Sequence, residues 1–199
     1  MSETKVDRLS RLARERGILR LRDLDAYNIP HKYVYRLEER GELVRLGRGL
    51  YQHIDHKITA QHSLAVVAKR VPHGVICLLS ALRFHDLTTQ NPHQIWIAID
   101  QDDRTPKIEY LSIEVVRMSG VAREAGVEEH TIEKVPVKVY TPAKTVADCF
   151  KFRSKLGLHV AIEALRDFYQ QGGSMDELWR FAGICRVQTV IRPYMEAVA

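Results

Sequence analysis

The sequence predicts an α+β protein, with a small module of helices and a hairpin at the amino end and a larger mixed α/β part behind it. Three observations predict this. Short amphipathic stretches broken at Gly17, Pro30 and Gly41 lead into a glycine-centred hairpin; β-rich runs such as "QIWIAID" and "LSIEVVRM" follow in the middle; and from Thr141 onward apolar residues recur at helical spacing. A chain of 199 residues, 45% hydrophobic, can bury a sizeable core and has the length of one large or two small domains.

In the first module, "KVDRLSRLARE" sets Val6, Leu9, Leu12 and Ala13 on one helical stripe, with Gly17 as the stop. A second helical stretch, "LRLRDLDAYNI", can turn Leu21, Leu24 and Ala26 inward. Pro30 disfavours helix at Ile29 and is well placed to open the third helix, which runs to about Glu39 with Val34 and Leu37 inward and Gly41 as its break. Then Leu43 to Leu46 and Leu50 to Gln52 read as two short strands around Gly47, Arg48 and Gly49. Three short helices and a hairpin give the order of a winged helix-turn-helix, whose third helix enters the DNA major groove while the hairpin rests on the backbone or minor groove.

The residue types suit those tasks. With Val34 and Leu37 inward, Lys32, Tyr35 and Arg36 project from the third helix, and His31 stands at its tip. Arg36 can form a bidentate pair with guanine, Lys32 is better suited to phosphate, and Arg45 and Arg48 on the hairpin fit backbone or minor-groove contact. Charge supports an anionic partner. Lys and Arg total 30 against 25 acids, and residues 1–57 hold 13 of the basic residues and 9 of the acids, so net +4 of the chain's +5 sits there. The blander readings are a solvated polar face and a winged module that binds protein. It is the order of helix, turn, helix and basic hairpin that favours DNA over both.

In the larger part, "ITAQHSLAVVAKRV" predicts a helix with Ala60, Leu64, Val67, Ala68 and Val71 on its stripe and Thr59 as N-cap. "VICLLSALRFHDL" begins as a strand and continues as a helix from Ser80, and "TTQNPH" is a loop. "QIWIAID", "LSIEVVRM" and a hairpin in "HTIEKVPVKVYT" interrupted at Pro136 form one small sheet. Thr141 and Pro142 start a helix with Ala143, Val146, Ala147 and Phe150 inward. "GLHVAIEALRDFYQQG" follows with Val160, Ala161, Ala164, Leu165 and Phe168 inward. Ser174 and Glu177 form a capping box, and a last helix covers roughly 187–197. The joint between domains is expected at "QHIDHK", dividing the chain into 1–57 and 58–199.

No catalytic residue and no metal or cofactor site is expected. His85 and Asp86 flank a polar loop, but no nucleophile accompanies them. Asp100, Asp102 and Asp103 end a strand as metal-binding acids sometimes do, yet residues 58–199 contain no Asp-x-Lys or Glu-x-Lys pair of the restriction-nuclease kind. His53, His56 and His62 lack zinc-ligand spacing. Cys77, Cys149 and Cys185 lie far apart with no CxxC, which fits a reducing cytoplasm. A charged start without an apolar h-region, and no run of 18 apolar residues, argue against export and membrane insertion. Lys144, Lys151 and Lys155, with Arg153 nearby, are spaced to share one helix face, either a solvated surface or an auxiliary anion-binding one.

Beyond these readings, "ERGELVRLGRGLYQ", "SALRFHDLTTQNPHQIWIAI" and "TPAKTVADCFKFRSKLGLHVAIEALRDFY" together resemble the AbiEi family of antitoxins and transcriptional regulators of type IV toxin-antitoxin and abortive-infection systems. The resemblance implies a DNA-binding autorepressor acting on its own promoter, with repeated half-sites. It also implies a larger domain opposing a nucleotidyltransferase-like toxin without requiring a direct complex. The competing expectation is a nucleic-acid-processing, metal-dependent nuclease-like enzyme to which the winged module delivers substrate.

Overall fold

Thr4 caps the first helix reciprocally: its hydroxyl accepts from the Asp7 amide while the Asp7 carboxylate accepts from the Thr4 amide, so two donors left open by helix geometry are satisfied. In the computed structural model, which describes residues 4–108 and 110–198, this helix is α1, Lys5–Arg16. Leu9, Leu12 and Ala13 are buried along it, and Gly17 ends it. A three-residue strand, β1, Ile18–Arg20, comes next, then a 3-10 helix, Leu21–Tyr27, which Asn28 closes in the left-handed conformation. Helix α2 spans Lys32–Glu39, and the hairpin is β2, Leu43–Gly47, with β3, Leu50–His53. Strand β3 is central in an antiparallel sheet ordered β1-β3-β2. The second helical stretch is thus 3-10, Ala26 in it is exposed rather than inward, and Pro30 precedes the N-cap His31 instead of opening α2. Leu9, Leu24, Val34, Leu37, Leu43 and Tyr51 pack into one core.

Helix α3, His62–Arg70, starts later than expected because Gln61 is its cap; Thr59 turns its hydroxyl to the Gln61 amide instead. Strand β4, Val75–Ile76, leads into α4, Leu78–Phe84. Strands β5, Ile95–Asp100, and β6, Ile113–Met118, pair in parallel, with α5, Val121–Glu124, after them. The hairpin of β7, Val127–Ile132, and β8, Val135–Tyr140, turns through Glu133 and Lys134, both at positive φ. These five strands form a mixed sheet ordered β6-β5-β4-β8-β7. Pro136, which cannot donate to a ladder, is accommodated within β8 because its neighbour β4 is only two residues long and pairs at Ile76 with Val139.

Five helices complete the chain: α6, Pro142–Lys151; α7, Arg153–Leu156; α8, Leu158–Gln170; α9, Met175–Ile184; and α10, Gln188–Val198. Thr141 caps α6 through the Lys144 amide, and Ser174 caps α9 through the Glu177 amide. The five inward residues expected on α8 are all buried. Phe150, Phe168, Leu178 and Ile191 join β-strand residues such as Ala98 and Val116 in a second core.

The chain divides into two compact units. One contains residues 1–72, 106–111 and 130–137, and the other 73–105, 112–129 and 138–199. The first therefore extends past the expected joint at 52–57 and takes in α3 and the β7–β8 turn. The fold is α+β, a helix-turn-helix with a hairpin followed by an α/β part. Among the described residues no helix is long and apolar enough to cross a membrane. The three cysteines are free and buried, and burial pushes the thiols of Cys77, Cys149 and Cys185 up, the last to about 12.

Candidate nucleic-acid interface

Helix α2 buries Val34 and Leu37, packs Tyr33 half-buried beside them, and leaves Lys32, Tyr35, Arg36 and Glu39 exposed. His31, Lys32, Tyr35 and Arg36 are all exposed, Tyr35 to 47%. The Lys32 ammonium and the Arg36 guanidinium each lie 5.5 Å from the Tyr33 ring centroid, so this ring supports both cations on one side of the helix. His31 Nε2 stands 3.3 Å from Asp25 on the preceding 3-10 helix, which ties the start of α2 to the turn before it.

The hairpin places Arg45 opposite Tyr51, and a bulge between Arg45 and Gly47 shifts the register before the Arg48–Gly49 turn. Arg45 folds its Nε back toward the Gly47 carbonyl at 3.4 Å, and the Arg48 carbonyl accepts from Arg70 at 3.3 Å. Both hairpin arginines keep exposed side chains. Beneath them Tyr51 is 2% exposed; burial raises its hydroxyl above the ordinary value, so it stays neutral.

A concavity of about 630 Å³ opens here, walled by Arg20, Arg22, Arg45, Arg48 and Arg70 together with Tyr35 and Tyr51. Three of the sequence-predicted residues, Tyr35, Arg45 and Arg48, meet around it; His31, Lys32 and Arg36 lie on the same helix surface but outside its lining. Arg20, Arg22 and Arg70 are additions that the sequence reading missed. The alternation in "LRLRD" was the only local signal for the first two, and Arg70 falls in the stretch assigned to the second domain.

The other singled-out residues are occupied structurally. Lys144 is wholly buried, its ammonium 2.5 Å from Asp148, so the expected face of Lys144, Lys151, Arg153 and Lys155 is corrected: Lys144 points into the core because both flanks of α6 are packed. Phe152 also breaks the helix between Lys151 and Arg153. Lys155 pairs with Glu114 and lies over Trp96. His85 binds the Tyr140 carbonyl at 2.7 Å. Asp100, Asp102 and Asp103 form a turn in which the Asp100 and Asp102 amides donate to carboxylates of Asp103 and Asp100, and Arg117 donates to the carbonyls of Asp100, Gln101 and Asp103. His56 and His62 converge on one oxygen of Glu133 at 3.0 and 2.7 Å, whereas His53 pairs with Arg14.

Among solved structures, the fold is similar to that of the RV2827C protein from Mycobacterium tuberculosis, with a TM-score of 0.60 and 17% identity over 90% of this chain and 71% of that one. At that identity the likeness concerns the fold alone. No curated protein sequence matches the chain significantly. Residues 7–52, which carry most of α1, the 3-10 helix, α2 and nearly all of the hairpin, match the family described as "Transcriptional regulator, AbiEi antitoxin".

Proposed function

We propose that the chain is a cytoplasmic, sequence-specific DNA-binding autorepressor that serves as the antitoxin of a type IV, AbiE-like system. In this reading residues 1–57 are a winged helix-turn-helix that reads duplex DNA, and residues 58–199 supply the antitoxin function. The observation that carries it is the coincidence of the family match over 7–52 with an exposed basic face on α2 and an arginine-bearing hairpin. In this reading Arg36, exposed on α2, reads a base edge, while Lys32, Arg45 and Arg48 hold phosphates and fix the register. The role is regulatory rather than catalytic, and the partner of the second part is a nucleotidyltransferase-like toxin opposed without an obligatory complex.

The test is an equilibrium titration of the full chain against its own promoter region and a shuffled duplex at several salt concentrations. The reading expects preference for the promoter and a linear fall of log affinity with log salt, at about 0.9 per phosphate engaged. Equal, salt-insensitive or absent binding to both duplexes removes it.

A further inference from the structure

Guanidinium groups crowded around one concavity repel each other unless an anion lies among them. In the first unit five arginines, Arg20, Arg22, Arg45, Arg48 and Arg70, wall the space of about 630 Å³ beside Tyr35. They come from four separate elements: β1, the 3-10 helix, the hairpin and α3. Arg20 is 8% exposed and already held, donating to the Lys69 carbonyl at 2.7 Å and approaching Asp23 at 3.8 Å. Asp23 is shared further, with Lys69 at 3.0 Å. Among the described residues no carboxylate pairs with Arg22, Arg45, Arg48 or Arg70, and the bonds that Arg45 and Arg70 make go to neutral backbone carbonyls. Four arginines thus line one hollow without a carboxylate partner among the described residues. Surface arginines on a folded domain ordinarily spread out or pair, and guanidinium forks gathered in one hollow suit a tetrahedral oxyanion.

We propose that this concavity is a phosphate-binding site, with Arg22 and Arg70 joining the wing arginines as its ligands. The phosphate has two sources of the same chemistry, the backbone of the duplex gripped by α2 and the hairpin, or the phosphate chain of a free nucleotide. The second would make the site a regulatory one, because Tyr35, Arg45 and Arg48 belong to both surfaces and a bound polyphosphate would displace the duplex. The proposal deepens the DNA-binding reading and rests on it for the first source only.

The experiment compares the full chain with an Arg22→Ala/Arg70→Ala variant. Both side chains are exposed, so circular dichroism and thermal melting should match the parent. Each protein is titrated with promoter duplex at several salt concentrations, and by calorimetry with inorganic triphosphate and with ATP. Backbone occupancy is shown when the variant loses tenfold or more in duplex affinity at low salt and its salt slope shrinks by about two, one per lost contact. Nucleotide occupancy is shown when the parent binds triphosphate or ATP, competes it against duplex, and the variant does neither. A variant that binds duplex with the parental slope, alongside a parent that takes up neither polyphosphate, overturns the site while leaving the α2 reading intact. A parent that binds polyphosphate but no duplex upholds the site and refutes the DNA reading.

Discussion

The ammonium of Lys144 lies 2.5 Å from the carboxylate of Asp148, and neither side chain has any exposed surface. The Lys144 ammonium also sits 4.1 Å from the centroid of the Tyr140 ring, and Cys185 donates to the other Asp148 oxygen at 3.2 Å. Burial pushes the Asp148 carboxyl above its ordinary value, and the Lys144 charge opposes that. This pair replaces the surface role expected of Lys144 with a core one.

Removing one member therefore strands a buried charge. Lys144→Met should lower stability by about 3 to 5 kcal/mol, whereas Lys144→Met with Asp148→Leu should recover most of that loss, since a matched apolar pair needs no counter-charge. Urea unfolding of the three proteins decides the matter. Equal loss in the single and double variants would show that packing, not charge pairing, dominates there.

A second prediction concerns acid. Glu133, at the β7–β8 turn, faces burial that would raise its carboxyl, yet hydrogen bonds from His62, the Thr59 amide and His56 outweigh it and hold the value down from 4.5 to about 2. The folded value lies below the unfolded one, so the contribution is complete above pH 4.5 and disappears as pH falls toward 2. Glu133→Gln should cost about 2 kcal/mol at neutral pH and flatten the stability profile across that acid window. The check is a set of denaturation curves from pH 7 to pH 2; parallel profiles for parent and variant would contradict the account.

Gly17 and Gly41 separate backbone strain from collision. Both have positive φ, 71° and 72°, but a Cβ at Gly17 would overlap the Glu133 carbonyl oxygen, while at Gly41 it would meet nothing within 4 Å. Gly41→Ala should cost about 1 kcal/mol from conformation alone, and Gly17→Ala clearly more. Thermal melts that rank the two variants in the opposite order would refute the contact.

Much of this was legible in the sequence because the relevant signals are local. Val34 and Leu37 three apart predict which side of α2 is buried, and hence which side bears Lys32, Tyr35 and Arg36. The same periodicity identifies the buried residues of α8 from Val160 to Phe168. Strand β1 was not legible: three residues, all buried, show neither alternation nor length. Lys144 misled because α6 is buried on nearly every side, and a lysine in such a helix looks from sequence like the start of a polar face. The arginine concavity escaped for another reason, since Arg22, Arg48 and Arg70 meet only after the chain has folded.

The most direct test of the central claim, that α2 reads base edges while the hairpin grips phosphates, is the ratio of promoter to shuffled-duplex affinity for the full chain carrying Arg36→Ala or Arg48→Ala. The account predicts that Arg36→Ala collapses the ratio by about 1 to 3 kcal/mol. Arg48→Ala should preserve the ratio, weaken both duplexes alike and reduce the salt slope by about one. Unchanged ratios and slopes in both variants would contradict it.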